Sequence, residues 1–281
     1  MSDTLEYLRR IHDADRQAFE EVGKALPSVA EVVDAIAAKL RAGGRWFYVG
    51  AGTSGRMCVL DAAELPPTFG IATDRVVALM AGGDKSLRLS LEEVEDDVDA
   101  GARDLKKRKL TDADAVVAVA ASGTTPYVRS ALQYAREKGA LTVAIVCNPG
   151  TPIAEASDLA LQLHTGPEVV NGSTRMKAGL AQKMILTMVS TAVMARLGLV
   201  YDDEMVAMRP TNTKLRARAA RIVTEVTGIE KPEALALLES SKWDLPVSLV
   251  RSRFRCTVEE ARERLDRHRG SVREALEEPA P

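Results

Sequence analysis

Between Arg45 and Pro67 a β-prone run, a glycine turn and a helix follow one another, and this stretch narrows the fold more than any other. Trp46 to Val49 is apolar, Gly50-Ala51-Gly52-Thr53-Ser54-Gly55 turns the chain, and Arg56 to Ala63 has helical apolar spacing. A strand that feeds a glycine turn into a helix aims bare backbone N–H groups and the positive end of the helix dipole at one spot. Such a spot suits an anion, most often a phosphate.

The spacing Gly50-x-Gly52-x-x-Gly55 also fits a dinucleotide fingerprint. That reading needs an acid at the end of the second strand, to hold a ribose hydroxyl. Here the second strand, Val76 to Met80, runs into Ala81-Gly82-Gly83, and Asp84 lies beyond it. Thr53 and Ser54 at the loop tip point instead to a phosphate held by hydroxyls as well as amides. An ordinary tight turn capped by Ser54 is the plain alternative.

The rest of the chain sets this loop in a repeating pattern. Residues 2–42 read as two helices, with stripes Leu5, Leu8, Ile11 and Val29, Val32, Val33, Ile36, Leu40. Strands are expected at Val76 to Met80, Ala115 to Ala120, Leu141 to Val146 and Leu159 to Leu163. Helices are expected at Ser86 to Lys106, Tyr127 to Glu137 and Met176 to Leu197. Alternation of this kind means βαβ units, a parallel sheet and helices on both faces. The helix from Met176 is too apolar for water on all sides and is assigned to the core and a subunit interface. From Thr211 on, strands vanish. The expected organisation is N-terminal helices over 1–42, a sugar-phosphate-binding domain over 43–208 and a helical domain over 209–281.

A second loop echoes the first. The strand Val116 to Ala120 ends in Ala121-Ser122-Gly123-Thr124-Thr125-Pro126 and enters a helix. In a parallel sheet, loops at the carboxyl ends of neighbouring strands share one crevice. Thr53, Ser54, Ser122, Thr124 and Thr125, with Gly52 and Gly123 at the turns, could hold one phosphate without a metal. A third polar cluster, Gly166 to Lys177, contains Glu168, Ser173, Arg175 and Lys177 and opens the long helix. Its cations could neutralise an anion at that helix N-terminus; the alternative is a helix cap on a charged surface.

Composition excludes several classes of function. With a formal net charge of -2 and 28% charged residues, the chain gives no argument for nucleic acid or an acidic membrane. The arginines after Arg251 are interleaved with Glu259, Glu260, Glu263 and Asp266, as on a solvated helix surface. Cys58, Cys147 and Cys256 have neither metal spacing nor a disulfide framework. No apolar run is expected to reach membrane-spanning length, and the N-terminus lacks signal-peptide character. A reducing cytoplasm is the expected location.

The blocks Gly50 to Arg56, Leu60-Asp61-Ala62-Ala63-Glu64, Ala121-Ser122-Gly123, Cys147 to Gly150, Gly172 to Gly179 and Pro210-Thr211-Asn212 with Lys214-Leu215 resemble the N-acetylmuramic acid 6-phosphate etherases. The resemblance runs in order over nearly the whole chain. It implies a sugar isomerase (SIS) domain, a three-layer sandwich around a five-stranded parallel sheet, with a small helical domain similar to UBA folds. It also implies homodimers with sites near the interface, and metal-free, cofactor-free cleavage of a D-lactyl ether from a sugar phosphate in cell-wall recycling. Glu64 and Glu95 match the family's two acids. Departures include Thr124 for a usual arginine, Leu65 for a cysteine and Leu180 for a threonine. The chain also begins near the family's Thr4-Leu5-Glu6 equivalent, without the segment that usually precedes it.

In an open-chain sugar the C2 proton lies beside an aldehyde, so one carboxylate can remove it while a second carboxyl protonates the departing oxygen at C3. Glu64 is assigned as acid and Glu95 as base; the reverse fits the sequence equally. Glu64 follows Gly55 by about nine residues, roughly 13 Å along a straight helix. One acid is therefore expected to serve the neighbouring subunit. Two rival functions use the same fold: an aldose–ketose isomerase, and a non-catalytic sugar-phosphate sensor like the glucokinase regulatory proteins.

Overall fold

The structure, a computed structural model, describes residues 3–279, the side chain of Glu92 excepted. In chain order the elements are α1 (Thr4–Arg41), β1 (Trp46–Gly50), α2 (Gly52–Phe69), β2 (Val76–Met80), α3 (Lys85–Arg88), a 3₁₀ turn (Glu92–Glu95) and α4 (Ala100–Lys107). They continue with β3 (Ala115–Ala120), α5 (Pro126–Glu137), β4 (Leu141–Val146), α6 (Pro152–Glu155), β5 (Leu159–Gln162) and α7 (Lys177–Arg196). The last five helices are α8 (Thr213–Thr227), α9 (Lys231–Ser240), α10 (Leu245–Phe254), α11 (Val258–Arg267) and α12 (Val272–Glu277). They form two compact units. One holds the residues up to Ala63 with Thr73–Thr191, the other Glu64–Ala72 with the residues from Ala192 on.

The first unit is built on a five-stranded parallel sheet in the order β2-β1-β3-β4-β5. Every residue of β1 and β3 is buried, as expected for a parallel sheet covered on both faces. Alternation along β1 sorts its side chains. Phe47 and Val49 join the cluster with Tyr127, Val128, Ala131 and Leu132 of α5. Tyr48 points the other way and donates to Asp61 of α2 at 2.8 Å. In the second unit, α8 to α12 close a core around Ile222, Leu238, Leu249 and Val272.

Two element expectations are corrected. The N-terminal pair of helices is one 38-residue helix, despite Pro27 within it. Proline removes an N–H and crowds the carbonyl four residues back. Both Pro27 and Gly23 lie on the water side, while the buried stripe from Ala18 through Val29 to Leu40 continues beneath. The long acidic helix from Ser86 does not form. Its span breaks into α3, the Glu92–Glu95 turn and α4, with only α4 long enough to carry a buried stripe (Gly101, Leu105). Carboxylates crowd that span, and Leu87, Leu89 and Val98 stay exposed, so its middle lacks the packing that sustains a helix.

The expectation that no apolar run reaches membrane-spanning length is corrected as well. α7 is long and apolar enough, at mean hydropathy 1.3, to match a membrane span by composition. More than half of that window is buried inside the protein, however, against the core. Leu180 and Met188 remain exposed.

Candidate active site at the sheet switch point

In the order 2-1-3-4-5, strand connections diverge between β1 and β3, and ligands bind outside the carboxyl ends of strands at that point. The register aligns the two ends, Gly50 facing Val119. The loops that leave them, Ala51–Gly55 and Ala121–Thr125, therefore flank one crevice. α2 and α5 both begin there, with their N-terminal dipoles at its mouth.

The first loop is tighter than a free turn. α2 starts at Gly52, so Thr53 and Ser54 sit in its first turn, and their N–H groups precede the helix's own hydrogen bonds. Gly52 has φ +52°, and a Cβ added there would stand 2.8 Å from Oε1 of Glu95. The Glu95 carboxyl thus lies over the first loop. Thr53 lies beside α7, its methyl 3.4 Å from where a Cβ on Gly179 would be. Ser54 is buried, and its hydroxyl donates to Oε1 of Gln182 at 2.8 Å, so it ties the loop to α7.

The second loop presents its hydroxyls outward. Ser122 Oγ accepts from the N–H of Thr124 at 3.2 Å and from its hydroxyl at 3.1 Å, which leaves its own O–H to donate. Thr125 is the N-cap of α5 but makes no side-chain cap bond, and Pro126 takes the first helical position. Gly123, at φ +72°, sits so close over Thr151 that a Cβ would stand 2.2 Å from its Oγ1. Only glycine lets the loop lie down on the turn after β4. There, Asn148 donates to the Ala121 carbonyl and the Ile153 N–H to the Gly123 carbonyl.

The third cluster favours the cap reading. Glu168 accepts from the N–H groups of Lys177 at 3.1 Å and Ala178 at 3.0 Å, so its own carboxylate fills the N-terminus of α7. Lys177 is buried and donates to Gln17 of α1 at 3.1 Å. Ser173 is half-buried in the preceding turn and Arg175 is exposed. Burial, with the Glu168 carboxylate nearby, pushes the Cys147 thiol up to about 12, so it stays protonated.

Glu64 is exposed on α2, three residues beyond Asp61. Asp61 is half-buried and accepts from Tyr48 at 2.8 Å and Ser190 at 3.1 Å. Burial raises its pKa against the pull of those two bonds and of Lys183. This anchor, and the tether supplied by Arg56, were not read from the sequence. Arg56 spans the carbonyls of Leu87 (3.2 Å) and Leu89 (3.0 Å), fixing the segment just before the Glu95 turn. An acid flanked by Leu60 and Ala62 on a packed helix was the available sign for Asp61; nothing local marked the reach of Arg56. Among the described residues no three His, Cys, Asp or Glu side chains are grouped as a metal would require.

A parallel sheet in this order, with two glycine-hydroxyl loops at its switch point, defines a SIS-type protein. Residues 28–136 match the family described as the glucokinase regulatory protein N-terminal SIS domain. A phosphoheptose isomerase from Francisella tularensis shares the fold at TM-score 0.53 and 18% identity, over 68% of this chain and 98% of that one. At the level of sequence the likeness is much closer. N-acetylmuramic acid 6-phosphate etherase of Pectobacterium atrosepticum is 48% identical over 273 residues, covering 97% of this chain and 90% of the relative. That of Geobacillus thermodenitrificans is 47% identical over 274 residues, covering 98% and 93%. The chain belongs to the N-acetylmuramic acid 6-phosphate etherase family, as its motifs indicated.

Proposed function

We propose that this chain cleaves the D-lactyl ether of N-acetylmuramic acid 6-phosphate, giving N-acetylglucosamine 6-phosphate and D-lactate. The observation that carries the reading, in a chain of this family, is the Glu95 carboxyl against Gly52 at the switch-point loop. A phosphate seated on the N–H groups of Thr53 and Ser54 and the hydroxyls of Ser122 and Thr125 would place the sugar chain next to that carboxyl. Glu95 then removes the C2 proton of the open-chain aldehyde. The C3–O bond breaks, and Glu64 delivers a proton to the departing lactate oxygen. Water adds to the resulting double bond, its hydroxyl to C3 and a proton to C2, which restores both acids. No metal or cofactor enters these steps.

Two further readings belong to this proposal. The enzyme works as a homodimer: α1 leaves Leu5, Leu8, Phe19 and Leu26 exposed, and Leu60 of α2 and Met188 of α7 are exposed too. A second copy would cover such surface. The protein acts in the cytoplasm, in recycling of cell-wall sugars, with three free thiols as in a reducing compartment. The deciding assay is D-lactate release from N-acetylmuramic acid 6-phosphate, beside Glu64→Ala and Glu95→Ala. Release by the parent and its loss in both variants support the proposal. Interconversion of sugar phosphates without lactate would make the chain an isomerase, and binding without turnover a sensor. Mixing the two variants tests sharing of acids between subunits, since a shared site regains activity in fresh mixed dimers.

A further inference from the structure

The Pro210-Thr211-Asn212 motif plays no part in the crevice chemistry above. Asn212 caps α8 by accepting from the Leu215 N–H at 2.9 Å, while Pro210 and Thr211 form one wall of a cavity of about 600 Å³. The cavity lies wholly within the second unit, and its size falls in the roughly 300–1,000 Å³ range of small-molecule pockets.

Its charge is one-sided. Arg209, Arg216 and Lys242 line it, and among the described residues none of the three pairs with a carboxylate. The one acid on the wall, Asp244, is committed to the N-terminus of α10, where it accepts from the Val247 N–H at 3.2 Å. The Arg209 guanidinium is held in place by a bond to the Gly70 carbonyl at 3.0 Å. Arg216 lies over the Trp243 ring, 4.7 Å from its centroid, so a cation and a flat apolar plate are presented together.

The backbone adds to this. Lys242 and Trp243 lie consecutively in the left-handed region, at φ 55° and 62°, between α9 and α10. A bulky residue there is an outlier; glycine or asparagine would serve the turn at less strain. The strained turn instead presents an ammonium and an indole to the cavity.

We propose that this cavity is a second ligand site, distinct from the crevice, which takes a phosphomonoester carried on a ring compound. Arg209, Arg216 and Lys242 bind the phosphate, and the ring lies along the Arg216–Trp243 stack. A sugar phosphate and a nucleoside monophosphate share this chemistry.

The chain has two tryptophans, and Trp46 is fully buried in β1, so Trp243 can report binding by fluorescence. A Trp243→Phe protein supplies the Trp46 background. Inorganic phosphate, glucose 6-phosphate and AMP are titrated separately to about 10 mM, above the Kd of about 1 mM that marks a weak site. A saturable change with one of the ring phosphates, tighter than with inorganic phosphate, is expected. It should weaken about tenfold or more in Arg216→Gln/Lys242→Gln and in Lys242→Gln alone, with melting temperatures unchanged, because charge-assisted contacts are lost. It should persist in Ser122→Ala/Thr125→Val, which disables the crevice. Which ring phosphate responds identifies the source. The proposal is overturned by no saturable change, by equal response to inorganic phosphate, or by a change abolished in the crevice variant and kept in the cavity variants.

Discussion

The carboxyl of Glu95 lies against Gly52, so near that a methyl at residue 52 would stand 2.8 Å from Oε1. The first loop and the Glu95 carboxyl are therefore set by one contact. Gly52→Ala should push the carboxyl aside and also strain a residue at φ +52°, at a cost of about 1–2 kcal/mol. A protein of this size tolerates that loss. Catalysis does not: displacement of an acid by about 1 Å can cost on the order of 100-fold. Gly52→Ala should fold, melt slightly earlier and lose about 100-fold in kcat for lactate release. Unchanged kcat would remove Glu95 from the chemistry.

Arg56 holds the segment that precedes the Glu95 turn, through the carbonyls of Leu87 and Leu89. A lysine carries positive charge but cannot span both carbonyls with a planar fork. Arg56→Lys should lower kcat about tenfold while KM and the melting temperature stay near those of the parent. An increase in KM at constant kcat would mean that Arg56 binds phosphate instead of positioning the Glu95 segment.

Why the fold was readable while parts of the site were not follows from the range of the forces involved. Trp46–Gly50 and Ala115–Ala120 are buried on both faces, so their sequence is apolar throughout and marks them as strands. Loop chemistry is local too, and Ser122 with Gly123 declares itself in a few residues. Helix continuity through Pro27 depends on which side of α1 meets water, which tertiary packing decides. The break after Arg88 is likewise decided by packing: Leu87, Leu89 and Val98 stay exposed, although the residues of the span suit a helix. Gln182 on Ser54, Gln17 on Lys177 and Ser190 on Asp61 join residues more than a hundred positions apart, and no local pattern encodes such pairs.

Phosphate affinity should separate from chemistry. Ser122 keeps a hydroxyl to donate and Thr125 has one that its helix does not use. A hydrogen bond to a charged group is worth about 1.5–3 kcal/mol, or roughly 10–100-fold. Ser122→Ala and Thr125→Val should each raise KM by about that factor and leave kcat within a few-fold. Equal falls in kcat and kcat/KM would place these hydroxyls on the transition state instead.

Asp114 braces the amino-terminal ends of β1 and β3, at the opposite end of the sheet from the crevice. It is 2% exposed and accepts from the Arg45 N–H at 2.8 Å, the Arg45 guanidinium at 2.8 Å and the Thr111 N–H at 2.9 Å. Burial alone would raise its pKa; the bonds from Arg45 and Thr111 outweigh burial and hold it below the ordinary value. A carboxyl with a lower pKa folded than unfolded adds stability that is full above the unfolded value, about 3.9, and fades as pH falls through the folded one. Asp114→Ala leaves the Arg45 guanidinium without its carboxylate and should cost about 3 kcal/mol near neutral pH. At roughly 2–4 °C per kcal/mol, its melting temperature should fall by about 6–12 °C. The gap between parent and variant should narrow below about pH 4, because the parent then loses what the variant never had. A gap that stayed constant down to pH 2 would mean that shape, rather than the ionised carboxylate, makes Asp114 stabilising.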